Sequence, residues 1–253
     1  ENYSVKASNL TDNQLPPIPI TSLIPFLTSR QIITGSGTWA TGTFSYSQRA
    51  LGIEKEVGGT ATAERPFVLL RLDNDLGETR RLQIVMGDSN ILELPLYLKM
   101  GTTALVIALI ESGLAPVIQC ENAISALKRI SESMDCFTPC LHFTDRTKRS
   151  AFDIQTLYYE TIRHRLRDAA YDSEETEQET HNVMTLWEQA LNAIASHDEE
   201  WKLGRFDYAT KQHLAESHIK RFNVTAPSAQ QQMREDIDIL YHNISDRRLI
   251  ERM

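Results

Sequence analysis

Three polar side chains set into otherwise apolar, alternating segments are the residues that could do chemistry in this chain. Arg49 closes segment 44–49 (FSYSQR), Arg71 closes the apolar run of 66–72 (PFVLLRL), and Gln83 lies inside 81–86 (RLQIVM). If these segments are neighbouring strands, residues two apart share a face and the three side chains project together. Two guanidinium groups and an amide on one face make an anion site. Guanidinium suits phosphate because it offers planar, bidentate, permanently charged donors. On spacing alone, a pair of surface arginines in weak ion pairs is the alternative.

Other motifs point to structure rather than catalysis. Gly35-Ser36-Gly37 lacks the strand and helix spacing of a phosphate-binding loop. Gly87-Asp88-Ser89-Asn90 reads as a turn in which Asp88 or Ser89 caps the following helix. The seven histidines form no HxxxH or HxH pair, and no GxSxG elbow occurs, so neither a zinc hydrolase nor a serine hydrolase is supported. Cys120, Cys136 and Cys140 contain no CxxC pair and fit buried thiols in a reducing cytoplasm. The acidic run 172–179 (DSEETEQE) reads as a solvated loop and helix start.

The elements that must position these residues follow from composition and period. A chain of 253 residues with 41% hydrophobic content can bury a substantial core, and a net charge of -8 argues against a nucleic-acid surface. The strongest apolar run, 104–110, is far shorter than the roughly 20 residues of a bilayer crossing, so no spanning helix is expected. Residues 4–19 read as loop and 22–31 as a short helix. Segments 44–49, 53–57, 66–72 and 81–86 read as an antiparallel sheet. From position 91 the period becomes helical, with Leu92, Leu96, Met100, Leu105 and Leu109 expected to face the sheet and Gly101 to allow close backbone approach. Helices are then expected over 123–132, 152–170, 177–196, 207–222 and 228–241. Glu1 is not a translation start, so a processed or trimmed piece of a longer protein is expected.

Five stretches, in order, resemble the second half of the Pup ligase/depupylase family: PFLTSRQIITGSG, SQRA, IEKEVG, RRLQIVMGDSN and YLKMGTTALVIALIESG. WEQALNAI, FDYATKQHL and IDILYHNIS extend the resemblance over almost the whole chain. It implies an α+β fold related to glutamine synthetase and the carboxylate-amine ligases: a curved antiparallel β-sheet backed by helices, with a mainly helical C-terminal part. Residues 1–150 would be the second half of the catalytic domain and 151–253 a helical support packed on it. IEKEVG and YLKMGTTALV resemble the depupylase branch, which uses bound nucleotide and magnesium in hydrolysing the isopeptide bond between the small protein Pup and substrate lysines.

The resemblance implies ATP or ADP and Mg²⁺ as cofactors, with Arg49 and Arg71 as phosphate contacts. Asn2 would stand at the nucleotide or metal end, because ENY is similar to the tail of a family motif reading Ser-His-Glu-Asn-Tyr. Tyr208 takes the place of a frequent family tryptophan and would flank the base. Gln83 replaces a family histidine that helps hold magnesium; it offers a carbonyl oxygen but no basic nitrogen. The catalytic residues would lie on an N-terminal portion, so this chain alone is expected to be inert, with that portion and Pup or a Pup-like protein as partners. Self-cleavage just before Glu1 is one expected origin of the chain. A divergent nucleotide-binding pseudo-enzyme or self-processing regulatory protein is the alternative.

Overall fold

The computed structural model describes residues 1–6, 18–71, 79–168 and 171–243, with the side chains at 6, 18–19, 70–71, 79–80 and 168 left out of the description. Its sheet is built from β1 (Asn2–Lys6), β2 (Lys55–Gly58), β3 (Pro66–Arg71) and β4 (Thr79–Ile84), in the order β1-β4-β3-β2. β4 pairs antiparallel with both β1 and β3, whereas β2 runs parallel to β3. The sheet is therefore mixed, not purely antiparallel as the sequence suggested. The parallel step arises because α3 (Ala61–Glu64) occupies the connection between β2 and β3 and returns the chain in the same direction. Two further segments also differ from expectation. Residues 44–49 form only an isolated bridge, Thr38 to Ser45, and the second half of β1, from Ser4, lies in a stretch expected to be loop.

Alternation then assigns the two faces of the sheet. Val5, Val68, Leu82 and Ile84 point inward and are almost completely buried, while Asn2 and Ser4 point outward and are exposed. The long α4 (Glu93–Glu111) lies against β1, with α1 (Ile18–Ser29) and α2 (Gln31–Thr34) packed on α4 and α5 (Ala123–Ser133) on α1. β5 (Leu141–His142) and β6 (Lys148–Arg149) form a small hairpin. α6 (Ala151–Arg165) and α7 (Glu174–Ala195) cover α1 and α4, and one continuous core runs from Val5 to Ala209. α8 (Glu199–Lys202), α9 (Asp207–Arg221) and α10 (Pro227–Tyr241) complete the helical part, α9 and α10 packing against each other.

Helix ends obey local chemistry. Ser150 and Asp153 form a capping box at the start of α6, and Arg163, His164 and Arg165 crowd its negative C-terminal end. Much of the acidic run becomes the first turns of α7, where Glu174, Glu175 and Glu177 complement the helix dipole behind the Ser173 cap.

α4 departs from its expected orientation. Its buried side is Pro95, Leu98, Lys99, Thr102, Thr103, Val106, Ile107 and Leu109, while Leu96 and Met100 are exposed. The helix is apolar on nearly every side, so periodicity could not tell its faces apart. By length and composition alone it would also be long enough to cross a membrane. Here it is a core helix, and buried Lys99, Thr102 and Thr103 are all satisfied by protein oxygens. Gly101 gives room to α7 and not to the sheet, since a Cβ at that position would meet Val183 Cγ2 of α7 at 2.6 Å.

Candidate functional site

Register brings polar groups together on the outer face of the sheet. Asn2 of β1 stands opposite Gln83 of β4, Ser4 opposite Arg81, and Arg81 in turn opposite Arg71 of β3. Directly opposed residues share a face, so these side chains belong to one surface. Arg81 Nε donates to Asn2 Oδ1 at 2.9 Å, tying the two strands across it. Arg81 escaped the sequence reading although it lies two residues before Gln83, where the same alternation could have found it. The Arg71 side chain lies outside the described residues, so only its backbone register places it here.

Arg49 reaches this region by a different route from the one expected. It does not end a strand; it precedes a short 3-10 turn, Ala50–Gly52. Its guanidinium donates to the Val85 carbonyl at 2.6 Å, two residues beyond Gln83 along the chain. Arg49 also lines a cleft of about 350 Å³ with Gln48, Thr62, Arg65 and Val85.

Tyr208 is not brought to the strand face. It is 5% exposed, with its ring edge-on to Tyr46 at 4.8 Å and close to Phe206. Burial raises its hydroxyl pKa well above the ordinary tyrosine value. The base-flanking role drawn from family resemblance thus has no geometric support in this arrangement, because core packing claims the ring.

Gln83 is the group that tests for a metal. Its Oε1 is buried and has no hydrogen-bond partner among the described residues. A free amide oxygen on a polar face fits the oxygen preference of Mg²⁺. No group of three or more His, Cys, Asp or Glu residues able to hold an ion occurs among the described residues. The described residues thus offer a cation this neutral oxygen, and an acidic set would have to come from elsewhere.

Buried ionic contacts hold the face in place. Asp88 does not cap α4; its carboxylate accepts from Ser36 N, Ser47 Oγ, Gln48 N and Arg49 N, fixing the turn that carries Arg49. The start of α4 is served by Asp207 instead, whose Oδ1 accepts from Ile91 N at 3.2 Å and Leu92 N at 3.1 Å. Lys99 Nζ donates to Asp88 O and Asn90 Oδ1. Burial lowers the Lys99 pKa, with Glu1 opposing it. Gly35-Ser36-Gly37 is packed as an internal turn: a Cβ on Gly35 would meet Tyr46 O at 2.3 Å, and Gly37 has φ +72°.

Two further pairs were missed in the sequence. Arg30, 1% exposed, clamps both carboxylate oxygens of Glu1, at 2.9 and 2.6 Å, and reaches Thr103 Oγ1 at 2.7 Å. Burial would raise the Glu1 carboxyl, but the charge and hydrogen bonds of Arg30 hold it below its ordinary value. Gly87 explains itself here, since a Cβ would strike Glu1 Oε1 at 2.5 Å. On the other side, Lys211 Nζ donates to Asp238 Oδ1 at 2.7 Å and to Gly37 O at 2.6 Å. Asp238 also accepts from Thr38, Trp39 N and Gln48 Nε2, so α9 and α10 brace the turn bearing Arg49.

Comparison with known proteins agrees with this architecture. The family model described as Pup-ligase protein matches residues 1–253. A Pup--protein ligase of Nocardia farcinica is 33% identical over 235 residues, 88% of this chain and 49% of the relative. A Pup--protein ligase of Corynebacterium diphtheriae is 31% identical over 225 residues, 88% of this chain and 47% of the relative. A depupylase of Acidothermus cellulolyticus is 32% identical over 246 residues, 91% of this chain and 46% of the relative. The solved structure of the Pup ligase PafA in complex with ADP has a TM-score of 0.76 at 27% identity, covering 92% of this chain and 52% of that one. The complex of Pup with PafA gives 0.78 at 27% identity, covering 95% and 49%. The chain spans about half the length of the relatives it matches. A sequence match over every residue, joined to a tertiary likeness over nine-tenths of the chain, places the protein in the Pup ligase family, with its glutamine synthetase-like α+β fold.

Proposed function

We propose that this chain supplies the nucleotide-holding side of an enzyme that makes or cuts the amide bond between Pup and a lysine of a target protein. The observation that carries the reading is the outer sheet face, where Arg81 and Asn2 are locked together beside an unpartnered Gln83 oxygen and Arg49 reaches the end of the same strand. Arg49, Arg81 and, by register, Arg71 would grip the phosphates of ATP or ADP. Gln83 would give one oxygen to Mg²⁺, which when bound supplies charge neutralisation at the phosphates. Asn2 would stay a positioning group, holding the Arg81 fork. Acidic ligands and a catalytic base would come from a second portion corresponding to the half of the relatives left unmatched, with residues 151–253 as helical support. Without that portion the chain would be inert.

Ligation is the direction supported by both solved neighbours, which are ligases, one of them with ADP. Hydrolysis, the direction expected from IEKEVG and YLKMGTTALV, keeps one specific support: the Acidothermus depupylase is as similar as the ligases, at 32% against 31% and 33%. The test is to combine this chain with the complementary half of a relative. Conjugates formed from Pup, ATP and an acceptor protein would mark a ligase, and Pup released from a conjugate a depupylase. Neither product, with nucleotide still bound, would favour a nucleotide-binding pseudo-enzyme, and restoration of activity by Gln83→His would trace the loss to the metal position. Failure of the same assembly to bind ATP or ADP in calorimetry would overturn the nucleotide reading.

A further inference from the structure

A second site stands apart from the strand face. A cavity of about 410 Å³ opens where the C-terminal ends of α5 and α7 meet α8 and the start of α9. None of Asn2, Arg49, Arg81 or Gln83 lines it. Its polarity is ordered by depth. Deep inside are Lys202, with 8% of its side chain accessible, and Tyr208 and Tyr46, which are 5% and 6% exposed. At the mouth stand Glu199, 73% accessible, and the half-buried Asp135.

The deep groups have unspent donors. Lys202 Nζ donates to Glu199 Oε1 at 2.7 Å, which uses one of its three protons among the described residues. Tyr46 gives its proton to Met134 O. Tyr208 is 5% exposed and lines the cavity, and its hydroxyl is not among the fully buried polar atoms without a partner, so it keeps access to the cavity. A hydroxyl and an ammonium that line one cavity offer donors to an acceptor bound there.

Charge decides which acceptor. One cation against the carboxylates of Asp135 and Glu199 leaves the wall negative by one, which disfavours a simple anion. Hydrogen bonds from Thr138 and Phe137 hold the Asp135 carboxyl below its ordinary value, so the mouth stays charged. A simple amine would be repelled from the deep end by Lys202. A zwitterion satisfies both ends.

We propose that the cavity binds a free α-amino acid with an apolar side chain, its carboxylate against Lys202 Nζ and Tyr208 Oη and its ammonium towards Glu199 and Asp135. Tyr46, Ile194 and Phe137 supply apolar walls, and the volume lies within the range of small-molecule sites. The proposal does not depend on the chemistry assigned to the strand face.

The test is calorimetry on the purified 253-residue chain, with Trp201 fluorescence as a second signal because that ring immediately precedes Lys202. The probes are leucine, phenylalanine, phenylalaninamide and 3-phenylpropionate. Saturable binding of an amino acid is expected, with the amide and the propionate each about tenfold weaker or worse, since each loses one charge-assisted contact. Tyr208→Phe and Lys202→Met should each weaken binding about tenfold or more without changing the far-ultraviolet spectrum. Should Lys202→Met fail to fold, Tyr208→Phe and the amide comparison on the unmodified chain still decide. No binding by leucine, phenylalanine or any other free amino acid at millimolar concentration would overturn the proposal. So would equal binding of acid and amide, or undiminished binding by Tyr208→Phe.

Discussion

Replacing Arg30 by methionine isolates the contact that fixes β1 to the helical layer. The guanidinium is 1% exposed and makes three hydrogen bonds, two to Glu1 and one to Thr103. Methionine fills comparable space but leaves the Glu1 carboxylate, with 6% of its side chain accessible, buried beside no guanidinium. Removing one partner of a buried pair costs about 3–5 kcal/mol, against a total stability of about 5–15 kcal/mol for a natural domain. Urea unfolding followed by circular dichroism should show that loss at neutral pH. The sign of its pH dependence is determined by Glu1. In the unmodified chain the carboxyl pKa is lowered, so its contribution is present above the unfolded value near pH 4.3 and is lost as pH falls through the lower folded value. In Arg30→Met, burial acts with Lys99 and the Tyr3 hydroxyl opposing it but without the guanidinium, so the folded pKa rises and the variant regains stability as the carboxyl protonates. The gap between the two proteins should therefore be widest near pH 7 and narrow below about pH 4. Adding Glu1→Leu to Arg30→Met should recover part of the loss, because no buried charge remains unpaired. A loss under about 1 kcal/mol, the size of a surface pair, or a gap independent of pH would refute this reasoning.

Other perturbations follow from the same geometry. Arg81→Ala in the assembled enzyme should weaken ATP binding about tenfold to a hundredfold by calorimetry, because a charge-assisted phosphate contact is worth about 1.5–3 kcal/mol; unchanged affinity would remove it from the site. Asp207→Ala removes the acceptor of Ile91 N, Leu92 N, Asn90 Nδ2 and Tyr241 Oη, and should cost about 2 kcal/mol or more in denaturant unfolding. Gly101→Ala places a methyl 2.6 Å from Val183 and should cost about 1–3 kcal/mol by parting α4 from α7, seen as a lowered melting temperature. For Asp238, burial raises the carboxyl pKa but Lys211 overcomes it, so the docking it supports should be lost only as pH falls below the ordinary aspartate range. Hydrogen exchange over α10 should show protection lost in acid in the unmodified chain, and already lost at neutral pH in Lys211→Met.

Much of this molecule was determined by local pattern. The apolar run that begins at Pro66 forms β3, whose Phe67, Val68 and Leu69 are buried on both faces, and α5, α6, α7, α9 and α10 fall close to the ranges that helical period indicates. Ordered motifs were enough to identify the family, since RRLQIVMGDSN and YLKMGTTALV keep their spacing whatever surrounds them. Register sets Asn2 opposite Gln83, two positions that the motifs singled out. What tertiary structure decided were the contacts between residues far apart in the chain. The partner of Arg30 lies 29 residues before it, and the group serving the start of α4 lies more than a hundred residues after it. Asp88 looks like a helix cap in sequence, but four donors from the 36–49 region reach its carboxylate in the folded chain. The faces of α4 could not be read because an all-round apolar helix carries no periodic signal, and only packing against β1, α1 and α7 chose one side. Resemblance placed Tyr208 beside a nucleotide base, whereas packing against Tyr46 and Phe206 holds its ring away from the strand face. Burial and long-range pairing depend on how elements stack, and no local period in a sequence encodes that.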